Sequence, residues 1–139
     1  MNWIFFAILS TIISGVSLVF AKKGMHTANE NIALLIRTTI LFLVVFLHTI
    51  IAEGKQLYKP IDRSAILWFV LAGATTAIYW IFFFKAMRTA PISILSTIDK
   101  GSIIITIIAS YYLLQEPLSP RLLIGGTLII AGTIILVYK

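Results

Sequence analysis

Residues 92–114 read ISILSTIDKGSIIITIIASYYLL, and this stretch decides the fold. It runs uninterrupted between Pro91 and the pair Pro117 and Pro120, and Asp99 and Lys100 are its only charges. A helix needs about 20 predominantly apolar residues to cross the hydrocarbon of a bilayer. The strict alternation of a barrel strand is missing, and the run is too long for one. Ser96, Asp99, Ser102, Thr106 and Ser110 recur at steps of three and four, so one face of the helix is polar and the rest is Ile, Leu and Tyr.

Four further runs of the same kind lie outward from it, at 3–21, 32–52, 65–87 and 122–138. They leave no room for a second, soluble domain in 139 residues, so residues 1–139 are expected to form one domain. The fold class predicted is an all-α membrane protein with five transmembrane helices. The links between runs are short. Residues 22–31 are polar and contain Gly24, and 53–64 hold Gly54, Pro60 and several charges. Pro91 holds Ala90 away from helical backbone, which predicts a tight hairpin between spans three and four. Ser119 is placed to cap span five, with Pro120 at its first position. The N-terminus lacks the basic residues and cleavage-like segment of a signal peptide, so span one is expected to be permanent.

Composition agrees. Hydrophobic residues make up 60% of the chain and charged residues 12%, about half the charged share of a soluble domain. The mean hydropathy is +1.03. A water-soluble enzyme is excluded on that ground. The net charge of +6 does not point to nucleic acid, because the 11 Lys and Arg stand singly or in pairs beside apolar runs, as they do on membrane spans. Cysteine is absent, so thiol chemistry, disulfides and Cys-based metal sites are too. No phosphate loop, nucleophile elbow or HExxH sequence occurs. Neither a metal nor a cofactor is expected.

Five spans put the termini on opposite faces. Lys55, Lys59, Arg63 and Arg121 fall on the N-terminal side, and Lys22, Lys23, Lys85, Arg88 and Lys139 on the other. Cytoplasmic loops normally carry an excess of Lys and Arg, and here the two sides nearly balance. Either other signals orient the chain, or it inserts both ways and pairs with an inverted partner. Many transporters are built from two inverted repeats around a site near the midplane.

Ionisable groups inside spans are functional candidates by default. Three qualify: Asp99 and Lys100 in span four and Arg37 in span two. The stripe of Ser96, Asp99, Ser102 and Thr106 reads as the wall of a water-filled path. The alternative is that its hydroxyls only bond back to their own helix. Lys100 either neutralises Asp99 locally or pairs elsewhere. Arg37 either snorkels to the nearby surface or points inward, where it would meet Asp99 or an anionic substrate group. Two intramembrane cations against one anion lean toward an anionic or zwitterionic substrate. Tyr79 and Trp80 on span three are placed to cover a substrate or to pack. Gly73 lies in a run of small residues on span three, and Gly125, Gly126 and Gly132 on span five suit close packing or a dimer face. His48 reads as structural.

Together these features resemble the EamA family of the drug/metabolite transporter superfamily. The arginine early in span two (Arg37), Lys85-Ala86 before a short link with Pro91, Leu114-Gln115-Glu116 closing span four and the Gly125 and Gly132 pattern carry the resemblance. It covers essentially the whole chain as one five-span, EamA-type repeat of a usually ten-span protein. It departs in having no proline in 92–116 and in carrying Asp99 and Lys100 where larger members are neutral. The resemblance implies movement of small metabolites, amino acids or drugs by alternating access across a bacterial or archaeal inner membrane. It also implies assembly of the lone repeat, most simply as an antiparallel homodimer. The chain is less similar to four-span small multidrug resistance proteins, because span one holds no acidic residue. Two other functions compete: a flippase subunit for lipid-linked substrates, and a membrane assembly protein that moves nothing.

Overall fold

The computed structural model describes residues 2–54 and 61–138. Lys55, Lys59, Pro60 and Lys139, which enter the charge balance and the second link, lie outside the described residues. Most of the described chain is helical: α1 (Trp3–Gly24), α2 (Glu30–Glu53), α3 (Arg63–Thr89), α4 (Ile92–Lys100), α5 (Ile103–Ala109) and α6 (Pro120–Val137), with a π-helical turn at Ser110–Leu114. Among the described residues there are five segments long and apolar enough to cross a membrane, because α4, α5 and the π turn together make the single span Ile92–Leu114. The expected five-span, all-α architecture is what the chain forms.

The described residues group into two compact units, Met1–Thr89 and Ala90–Lys139. In the first, α2 and α3 pack side by side, and Phe83, Phe84 and Met87 of α3 are buried. One end of the unit gathers the polar termini. Lys22 Nζ donates to the carbonyl oxygens of Met87 at 2.5 Å and Arg88 at 3.4 Å. A lysine there satisfies carbonyls that the end of α3 leaves without helical donors. Arg88 forms an ion pair with Glu30, which opens α2 where the helix dipole favours an anion. Asn29 caps the same end, its side chain accepting from the Asn31 N–H at 2.9 Å.

In the second unit α4 packs on α6. The Thr133 hydroxyl donates to Thr97 O at 3.3 Å and to Ile129 O at 2.9 Å. Leu95 and Gly126 are buried. A β-carbon on Gly126 would stand 3.1 Å from Ile107 Cδ1, so the missing side chain lets α6 approach α5. Ser119 caps α6 as the sequence predicts: its Oγ accepts from the Leu122 N–H at 3.2 Å, and Pro120 opens the helix. Pro91 sits one residue outside α4 in extended conformation, and its carbonyl accepts the first bond, from Leu95 N–H at 3.0 Å.

The sequence predicts one unbroken helix over 92–114. The helix is interrupted at Gly101 and Ser102 instead. There the bonds tighten from four-residue to three-residue spacing, with Gly101 N–H to Ile98 O at 2.9 Å and Ser102 N–H to Asp99 O at 3.1 Å. Such tight turns inside a helix mark hinges, and Gly-Ser pairs are a recurrent cause. The run ends at Gln115, whose left-handed backbone (φ 55°, ψ 33°) closes the π turn onto Ser110 O.

Candidate functional site

The first unit holds Arg37, Tyr79 and Trp80 together. Arg37 leaves α2 seven residues after Glu30, about 10 Å along the axis. Its guanidinium carbon lies 3.7 Å from the centroid of the Trp80 ring and 5.6 Å from that of Phe84. Stacking a guanidinium on an indole is a cation–π contact, strengthened where water is scarce. The stack sets Arg37 against α3 within the first unit. Tyr79 packs edge-on to Trp80, with ring centroids 5.1 Å apart, and Trp80 packs on Phe83 and Phe84. The arginine therefore rests on an aromatic pedestal one helix away. Phe84 is a member that sequence reading missed; its only signal is the four-residue step from Trp80 along α3.

Two grooves flank this stack. One, of about 510 Å³, is lined by small residues including Ser17, Ala21, Gly24 and Ala33, with Arg37 and Phe84. Arg37 is the one charged group among its described lining. The other, of about 450 Å³, is lined by Thr38, Gly73, Thr76 and Trp80 among others. Gly73 lines this groove and has no atom within 4 Å of its absent β-carbon.

The second unit holds the other predicted group. Asp99 and Lys100 face each other at 3.8 Å, with Asp99 23% and Lys100 60% exposed. They stand directly before the interruption at Gly101. The hydroxyls of Ser96, Thr106 and Ser110 donate to Ser93 O, Ser102 O and Ile107 O of their own helices, the backbone-bonded alternative for a stripe. Their oxygens keep acceptor capacity. The tight turn also alters the phase of the stripe, because three-residue spacing advances about 120° per residue against about 100° in an α-helix. Two such steps, at Gly101 and Ser102, turn Ser102 about 40° further and bring it nearer in line with Asp99 than a regular α-helix would. Among the span-five glycines only Gly126 is a close-packing position within the unit; Gly125 and Gly132 have nothing within 4 Å. His48 is exposed on α2. Among the described residues no cluster of three or more His, Asp or Glu forms.

The chain is similar to known proteins. Residues 1–138 match the model of the EamA-like transporter family. A protein of Sinorhizobium sp. named "Uncharacterized transporter in cobO 3'region" is 31% identical over 137 residues, covering 97% of this chain and 96% of that protein. No solved structure matches.

Proposed function

We propose, for a chain that belongs to the EamA-like transporter family, that it is a secondary transporter subunit working by alternating access. Its cargo is small metabolites, amino acids or drugs, and its place is the plasma membrane of a bacterium or archaeon. Residues 1–139 act as one transport domain and carry out no covalent chemistry. The lone five-span repeat pairs with an inverted copy of itself, the arrangement that inverted-repeat transporters reach by gene fusion. The near balance of basic residues on the two sides supports insertion both ways.

The observation that carries this reading is the interrupted fourth span. A membrane helix that breaks beside its own carboxylate has the two parts a coupled carrier needs: a titratable group and a joint. Asp99 binds a proton or a cationic group, Lys100 stands beside it at 3.8 Å, and Ser96, Ser102 and Thr106 supply polar atoms along the path. Asp99→Asn is expected to abolish uptake driven by a pH gradient in proteoliposomes while the purified protein keeps its assembly state. Undiminished coupled uptake by that variant would remove Asp99 from the mechanism.

A further inference from the structure

We infer that the groove of the first unit is a binding site for organic carboxylates with an apolar body, and that Arg37 is the residue that recognises the carboxylate. The stack on Trp80 covers one face of the guanidinium at 3.7 Å. A planar guanidinium carries its five N–H donors in the plane, at the edges. Arg37 also lines the groove, so donors on its side away from Trp80 can act as a fork. That fork matches the two oxygens of a carboxylate, which it binds through two parallel charge-assisted bonds.

The remainder of the groove selects the rest of the ligand. Its lining beyond Arg37 is Ser17, alanines, a glycine and larger apolar side chains, with no acidic residue among those described. A cationic ligand meets an uncompensated positive charge, and a neutral one leaves the fork unused. The volume of about 510 Å³ lies in the range of small-molecule sites, about 300–1,000 Å³. Small walls accept an apolar body of moderate width. The end of the unit nearest Arg37 carries Lys22 and Lys23 in the last turn of α1 and Arg88 in the last turn of α3, with Lys85 one turn earlier; Glu30 offsets Arg88 there, and the remaining positive charge draws anions toward the groove. The inference rests on the transporter reading only in treating the ligand as cargo; binding itself does not depend on flux.

The test uses the full chain purified in a neutral detergent and three probes that share one body: phenylpropionate, phenylpropanol and phenylpropylammonium. Affinity is read by calorimetry, with thermal unfolding alongside, since a ligand of the folded state raises its apparent stability. Phenylpropionate is expected to bind at least about tenfold more tightly than the other two, the weight of a charge-assisted pair. Arg37→Gln is expected to remove that preference, and Arg37→Lys to restore only part of it because the fork is lost. Ala33→Phe fills the groove and leaves Arg37 in place, so it decides the matter if Arg37→Gln does not fold; it is expected to lose binding. Equal binding of the three probes, or an unchanged preference in Ala33→Phe, overturns the inference. Displacement of phenylpropionate by phosphatidylglycerol added to the micelles also overturns it, in favour of a lipid site. Binding without flux in proteoliposomes leaves the inference standing and defeats the transporter reading, and flux without anion preference does the reverse.

Discussion

At the scale of single residues, the backbone makes the sharpest demands. Gly54 ends α2 with φ 45° and ψ −113°, a conformation that an L side chain resists. Gly54→Ala is expected to lower stability by about 1–3 kcal/mol, measurable as a fall in the midpoint of thermal unfolding in detergent. Gly126 makes a different demand, for space. Gly126→Leu would drive its branch into Ile107, from which even a β-carbon stands only 3.1 Å away, and is expected to cost about 1–3 kcal/mol by overpacking. Gly132→Ala meets open space and gains alanine's helix preference of up to about 1 kcal/mol, so it is expected to raise the midpoint slightly, and the pair separates packing from propensity. Sequence reading placed Gly73, Gly125, Gly126 and Gly132 in one class. Only a neighbour's coordinates tell them apart, because a small residue permits close approach without compelling it.

Elements were the most legible scale. Hydropathy and length found all five spans, and Ser119-Pro120 announced the start of α6, because these signals are local and each lies within a few residues. The interruption in the fourth span was the part that local signals left open. A single glycine weakens a helix by only about 1 kcal/mol, and the bilayer strongly favours satisfying every backbone group within a segment. Whether Gly101 bends or stays helical is therefore decided by small terms. The turn keeps its bonds by shortening them to three-residue spacing, so a hinge exists without an orphaned amide at Gly101. A β-carbon at Gly101 would lie 3.0 Å from Ile98 O. Gly101→Ala is expected to shift the segment toward regular α-helix, where that crowding is relieved and alanine is preferred. Transport turnover should then fall severalfold with substrate affinity little changed, measured as kcat against KM in proteoliposomes. A variant with normal turnover would show that the joint does not move during transport.

At the scale of the whole molecule, orientation is the open variable, and charge is the lever on it. Lys23, in the last turn of α1, and Lys85, one turn before the end of α3, stand among the basic residues at one end of the first unit. Replacing both with alanine leaves the other side richer in basic residues, so that side should become cytoplasmic more often. The fraction of C-termini labelled from outside intact cells is expected to rise, with a cysteine appended there as the handle in a chain that has none. The unaltered chain is expected to label from both faces; labelling from one face alone would defeat the inverted-pair reading. The candidate site was half legible at this scale. Arg37, Trp80, Asp99 and Lys100 were all nameable because charge and aromatic groups are conspicuous in an apolar chain. That Arg37 would rest on Trp80, 43 positions away, was not, since the choice between snorkelling and stacking is made by a helix that α2 cannot specify.

The lysine that closes the end of the first unit has a consequence for synthesis. Lys22 donates to the carbonyl of Met87, 65 residues later, and Glu30 waits for Arg88 over nearly the same distance. At about 5–20 residues per second, those partners leave the ribosome about 3–13 s after Lys22. Through that interval the first two hydrophobic segments lack these two contacts at their shared end. On the inverted-pair reading, the way up would be chosen before the third helix arrives to latch the hairpin.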